Sequence, residues 1–135
     1  MTHLLDTSAL LAHYLAEPGA ASVQALFENE GASAGTSILV LFEFELRLHQ
    51  IGVDDPTRAR DLARYRALLS EVVNVGEAVR SEAIRLRTNA TARISAMDIL
   101  IAATASSCDA TLVHRDPHFA AIPPCFMRQE VLAAK

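Results

Sequence analysis

The stretch Ser95-Ala-Met-Asp-Ile-Leu-Ile-Ala-Ala-Thr-Ala105 constrains this chain more than any other. Apolar residues cover nearly every side of its helical wheel, so it reads as a helix buried within a packed domain. Asp98 falls in its first turn, beside Ile99, Leu100 and Ile101. A lone ionised carboxylate in such surroundings costs about several kcal/mol unless something pairs with it. No Lys, Arg or His stands one turn further on, and the nearest base, Arg93, is five residues back. The fold must therefore bring Asp98 a partner from elsewhere: a distant base, a cluster of donors or a metal ion.

The rest of the chain predicts what surrounds that helix. Residues 2–5 form a short apolar strand ending at Asp6-Thr-Ser8. Ser8 caps a helix over 9–17, which Pro18-Gly19 ends, and a second helix covers 20–29. A weak strand over 32–35 precedes a long helix over 38–50, capped by Ser37 and stopped by Gly52. Asp55-Pro56 starts the next helix, with Asp as cap and Pro at the first helical position, and it runs to about 69. A strand over 71–75 carries Val72, Val73 and Val75; a helix over 76–87 and a polar loop over 88–93 follow. Ser95 caps the buried helix, which ends near 107. A strand over 111–114, a turn over 115–119 and an edge strand over 126–129 complete the chain.

Short apolar strands separated by helices call for a parallel sheet covered on both faces. The expected fold is a three-layer α/β/α sandwich with a central, mainly parallel sheet of four to five strands. A length of 135 residues suits one domain over 1–135, and no repeat or linker interrupts it. No apolar run reaches the length of a membrane span. The N-terminus lacks the basic region of a secretory signal, and Cys108 and Cys125 form no CxxC. Reduced thiols in a cytoplasmic protein, with no membrane partner, are the expectation.

Charge is unevenly placed. Residues 1–55 hold eight acids and one base, Arg47; residues 57–93 hold eight arginines and four acids. The only lysine is Lys135. Asp6 and Asp116 each follow a strand directly, at the carboxyl edge where open α/β sheets place their ligands. Glu43 lies in Ile38-Leu-Val-Leu-Phe-Glu-Phe44, a setting as apolar as that of Asp98. Gathered carboxylates repel one another and stay ionised only with compensating positive charge; hard oxygen donors suit Mg²⁺ or Mn²⁺. Such ions serve phosphoryl transfer without a protein nucleophile. None is evident, since no GxSxG, P-loop or HExxH occurs.

Four segments together carry a family likeness. Leu4-Leu-Asp-Thr-Ser-Ala-Leu10, Thr36-Ser-Ile-Leu-Val-Leu-Phe-Glu43, Met97-Asp-Ile-Leu-Ile-Ala-Ala-Thr-Ala105 and Ala110-Thr-Leu-Val-His-Arg-Asp-Pro-His-Phe119 resemble, in order and spacing, the acidic motifs of PIN domains of the VapC type. The resemblance runs from Thr2 to about Phe119. It implies a Mg²⁺- or Mn²⁺-dependent endoribonuclease, the toxin of a toxin–antitoxin pair, cutting RNA with a metal-activated water. Asp6, Glu43, Asp98 and Asp116 would take the catalytic, metal-binding positions. The implied partners are an RNA substrate, a cognate antitoxin and a second copy of the chain, with higher assemblies formed with the antitoxin. Where the family often has Thr, Ser or Asn, two residues before the last Asp, this chain has His114. Its imidazole stands in as a hydrogen-bonding group or a contact to the scissile phosphate.

Each residue also has a plainer reading. Asp6 can cap a helix; Ser8 can cap one, orient Asp6 or meet substrate. Glu45 competes with Glu43, but two residues turn a helix by about 200°, so only one faces a given site. Asp98 can be satisfied by backbone donors, Asp116-Pro117 can be a plain turn, and His114 can pack in its strand. Arg115, next to Asp116, is the favoured phosphate contact. Arg58, Arg60, Arg64 and Arg66 share a helix that is either solvated or set against RNA. The apolar residues of the first two helices are core or an antitoxin groove. Two other functions fit less well. A receiver domain or dehalogenase-like phosphatase would need a lysine near the phosphoryl group. A PIN fold that only binds RNA or protein would not need all four acids.

Overall fold

The computed structural model describes residues 1–135. Its elements are β1 (His3–Leu5), α1 (Thr7–Tyr14), α2 (Ala20–Glu28), β2 (Ala34–Ser37), α3 (Ile38–Gln50), α4 (Asp55–Leu68), β3 (Val72–Val73), α5 (Glu77–Asn89), α6 (Ala96–Ser107), β4 (Thr111–His114), a 3₁₀ turn (Pro117–Ala121) and β5 (Gln129–Val131). The order matches the sequence reading, with the 3₁₀ turn added. The sheet has five strands in the order β3-β2-β1-β4-β5, and every pairing is parallel.

Parallel strands need crossovers, and right-handed crossovers fix which face each helix covers. The chain steps outward from β1 to β2 to β3, so α1 to α4 lie on one face. It then returns across the sheet to β4, which puts α5 and α6 on the other. The packing agrees: α1 contacts α2 and α3, α3 contacts α4, and α5 contacts α6. The direction of winding reverses between β1 and β4. Just beyond such a reversal the flanking loops diverge and leave a crevice.

The core lies on both sides of β1 and β4. Leu4, Leu5, Leu112 and Val113 are fully buried, as are Leu10, Phe44, Ile101 and Phe119. Helix α6 buries Ile99, Ile101 and the small residues Ala102, Ala103, Thr104 and Ala105, which lets it lie close to its neighbours. Ser37 and Ser95 cap α3 and α6 with their hydroxyl oxygens, as expected. Two caps differ. Asp6, not Ser8, caps α1, so that helix starts two residues early; Asp54, not Asp55, caps α4. The last strand also sits further along than 126–129, because Phe126 and Met127 pack against the core before pairing with β4 begins at Gln129.

Gly35, in β2, marks a close approach. A Cβ there would meet the Glu71 carbonyl oxygen at 2.8 Å and Met1 Sδ at 2.5 Å. The methionine can move but the backbone cannot. Gly35→Ala is expected to lower stability by about 1–3 kcal/mol, read as a lower midpoint in thermal or urea denaturation.

Candidate functional site

The carboxyl ends of β1 and β4 flank the reversal point. Leu5 pairs with Val113, and the Asp6 N–H donates to the Val113 carbonyl at 3.0 Å, which holds the two strand ends level. Above them is a cavity of about 300 Å³ lined by Asp6, Thr7, Ser8, Leu11, Glu43, Leu46, Arg47, Gln50, Asp98 and Asp116. All four acids named from the sequence therefore meet in one place, drawn from β1, α3, α6 and the end of β4.

Each is held by its own element. Asp6 is 3% exposed, and its Oδ2 accepts the Ser8 N–H at 3.2 Å and the Ser8 hydroxyl at 2.7 Å. Burial pushes its carboxyl up to about 6, against the pull of those hydrogen bonds, and the Asp98 charge adds to the rise. Glu43 Oε1 accepts the Thr7 hydroxyl at 2.7 Å. Glu45, its competitor, points the other way, toward Arg58 at 3.9 Å. Asp98 stands on the first turn of α6 and is raised above the ordinary carboxylate range by burial, with the Asp116 charge contributing. Asp116 caps the 3₁₀ turn, accepting the His118 N–H at 2.9 Å.

Ser8 lines the cavity but spends its hydroxyl hydrogen on Asp6, while its oxygen accepts the Arg115 N–H at 2.9 Å. It orients a carboxylate. The other two residues expected to meet substrate lie outside the cavity lining. His114 is 2% exposed and stacks near Phe119, with ring centroids 4.8 Å apart. Its Nδ1 accepts the Asp116 N–H at 3.1 Å, so its proton sits on Nε2, which donates to Gln129 Oε1 at 2.7 Å. Burial holds its pKa below the usual range. A buried ring so bonded holds the Asp116 backbone and lies outside the cavity lining. Arg115 turns away from the acids: it bonds the Glu17 carboxylate at 2.8 Å and the Pro18 carbonyl at 3.0 Å. A glutamate and a carbonyl in the turn between α1 and α2 hold its guanidinium away from the crevice.

Four further participants carry only weak signals in the sequence. Thr7 positions Glu43. Arg47 and Gln50 follow Glu43 by one and two helical turns and line the same cavity. His118 places Nδ1 3.1 Å from Asp116 Oδ1 and 4.0 Å from Asp98 Oδ2, and these donors lie within 4.8 Å of one another. Spacings of about 3–4 Å are those of neighbouring donors around one cation bound at 2.0–2.2 Å. Asp116-Pro-His118 and the Glu43-to-Arg47 spacing were visible signals, but both also occur in ordinary turns and helices.

Three of the four arginines on α4 answer to local acids. Arg60 and Arg64 pair with Asp61, which also accepts the Tyr14 hydroxyl at 2.7 Å, and Arg58 pairs with Asp55. Of the apolar residues on α1 and α2, Leu10 and Val23 are core, whereas Leu11, Tyr14, Leu26 and Phe27 pack partly buried against it. Lys135 bonds Glu17 at 2.8 Å and does not line the cavity, so the lysine that receiver domains and dehalogenase-like phosphatases rely on is missing there. No helix is long and apolar enough to cross a membrane.

Comparison with known proteins follows the same line. The PIN domain family model matches residues 3–123. No curated protein is matched. Among solved structures, VapBC2 from Rickettsia felis, bound to a DNA fragment from its promoter, superposes with a TM-score of 0.79 at 22% identity, covering 98% of this chain and 100% of that one. VapBC-1 from nontypeable Haemophilus influenzae gives 0.75 at 17% identity, covering 97% and 98%. VapBC-5 from Mycobacterium tuberculosis, of a family of toxin–antitoxin systems, gives 0.63 at 24% identity, covering 96% of each chain.

Proposed function

Since this chain belongs to the PIN domain family, we propose that it is a VapC-type, metal-dependent endoribonuclease and the toxin half of a toxin–antitoxin pair. The observation that carries this is the meeting of Asp6, Glu43, Asp98 and Asp116 in one crevice at the reversal point of the sheet. The donor set fits a divalent cation. It offers hard carboxylate oxygens, one of them on a buried aspartate whose ionisation the protein alone opposes. Asp6, Glu43, Asp98 and Asp116 would hold Mg²⁺ or Mn²⁺. Bound there, the ion lowers the pKa of a water and offsets charge developing on the phosphate and leaving oxygens.

The chain's own part is positioning. Ser8 fixes Asp6, Thr7 fixes one oxygen of Glu43, and the His114–Gln129 pair holds the backbone of Asp116. Asp6 and Glu43 thus have a set direction before substrate arrives, which removes an ordering cost from the reacting complex. The cavity lining holds no Cys or Lys, and the Ser8 and Thr7 hydroxyls are engaged by Asp6 and Glu43, which favours water as the attacking group. The solved structures described as VapBC or toxin–antitoxin proteins support a cognate antitoxin as partner; a homodimer as the toxin's own state and a cytoplasmic compartment complete the proposed reading.

Purified protein is expected to cleave single-stranded RNA with Mg²⁺ or Mn²⁺ and to stop when EDTA is added. Asp98→Asn should lose roughly 10³-fold or more in rate, the scale of removing a preorganised electrostatic group. Sequencing RNA ends from cells expressing wild type and Asp98→Asn identifies the target. Equal cleavage by the two proteins would remove the acids from the mechanism.

A further inference from the structure

A crevice built of four carboxylates repels the polyanion it is proposed to cut. Phosphate binding needs positive side chains, and each one engaged adds salt-sensitive affinity. The only basic residue lining the crevice is Arg47. Resting on the endoribonuclease reading, we propose that Arg47 grips a backbone phosphate of the RNA next to the one being cleaved.

The case rests on what Arg47 does not do. Seven of the eleven arginines lie within 4.0 Å of a carboxylate: Arg58, Arg60, Arg64, Arg80, Arg85, Arg115 and Arg128. Arg47 forms no such pair, although Glu43 precedes it by four residues on the same helix. That spacing and that order favour a helical Glu–Arg bridge. The bridge is not made; Glu43 is held across the crevice by the Thr7 hydroxyl instead. The guanidinium of Arg47 is left exposed, at the crevice, with its donors unspent. Arg66, Arg87 and Arg93 are also unpaired, but none of them lines the crevice.

Position selects the phosphate. Arg47 is one turn beyond Glu43 along α3, about 6 Å of helix rise. A strand whose scissile phosphate sits among the carboxylates therefore runs its neighbouring phosphate past Arg47, and then past Gln50. A planar guanidinium suits a phosphodiester because it can donate two parallel hydrogen bonds to its oxygens. Arg115, the more obvious candidate in sequence, is already bonded to Glu17 and Pro18. A contact to a flanking phosphate is made equally in ground and transition states, so it should act on KM and leave kcat alone.

The test compares wild type with Arg47→Ala, Arg47→Lys and Arg47→Glu. Cleavage of a long single-stranded RNA containing every pentanucleotide is followed in Mn²⁺ over a range of salt concentrations. Arg47→Ala should raise KM about tenfold, the loss of one charge-assisted contact, with kcat within about twofold of wild type. The slope of log kcat/KM against log salt should flatten by about 0.7, one phosphate contact on a single strand. Arg47→Lys should keep the slope at an intermediate KM, and Arg47→Glu should bind RNA more weakly than Arg47→Ala. Melting temperatures should match wild type, because the side chain holds nothing in the fold. Unchanged KM and slope in Arg47→Ala, a loss confined to kcat, or a melting loss of several degrees would each overturn the assignment while leaving the nuclease reading intact. If wild type itself cleaves nothing, both fall together.

Discussion

Asp6→Asn, freed of metal by EDTA, is expected to melt above wild type at pH 7.5 while cutting no RNA. The carboxyl of Asp6 is pushed by burial from an ordinary 3.8 up to about 6, so the folded chain binds that proton more tightly than the unfolded chain. For an acid raised in this way, the group stabilises the fold below its unfolded value and loses that contribution as pH climbs through the folded value. Above about pH 6 the ionised group is therefore a standing cost of roughly 2–3 kcal/mol. Asparagine removes the charge, keeps an oxygen to accept from Ser8, and caps a helix as well as aspartate does. A gain of about 5–10 °C at pH 7.5 follows for a chain of this size, shrinking toward zero by pH 4. Scanning calorimetry of both proteins at the two pH values is the check. A variant less stable than wild type at pH 7.5 would mean that Asp6 already has a compensating partner in the metal-free protein.

Added cation should reverse that ranking. Mn²⁺ at one hundred times its dissociation constant is expected to stabilise wild type by about 2.7 kcal/mol, or roughly 10 °C in melting temperature. The rise should be much smaller in Asp98→Asn and Asp6→Asn, since each withdraws one anionic oxygen donor. His118→Ala should lie between, because an imidazole beside Asp98 and Asp116 supplies a donor that Mn²⁺ accepts more readily than Mg²⁺. Thermal shift measured against metal concentration reads binding directly, without RNA. Equal shifts in all four proteins would show that the ion binds elsewhere.

The parts of the fold legible in sequence are those where a local signal and the tertiary requirement coincide. Helix α3 and strand β4 occur at their expected bounds, because Ser37 is an oxygen cap ahead of an apolar run and Thr111–His114 is a short apolar strand bounded by turns. Asp98 was conspicuous because its apolar neighbours offer it nothing; the same holds for Glu43. Strand β5 was misplaced because its bounds come from pairing with β4, and the apolar Phe126 that suggested a strand is used for packing. The surroundings of Arg115 and His114 are hidden from the sequence for a related reason. Proximity in sequence to Asp116 said nothing of Glu17, Pro18 or Gln129, which arrive from other elements and take those side chains. Arg47 and His118 went unnoticed because an exposed basic side chain gains meaning only from what lies opposite it.

The reversal of winding between β1 and β4 also sets when the crevice comes into being. Asp6 and Glu43 emerge early from the ribosome, with the helices of one face; Asp98 comes with α6 on the other face, and Asp116 only after the chain has crossed back to β4. A nascent or C-terminally clipped chain that stops before β4 holds three of the acids, Asp6, Glu43 and Asp98, but lacks Asp116 and the strand end that completes the crevice. The four acids share a crevice only when β4 lies beside β1, so a copy truncated before β4 is expected to cleave no RNA.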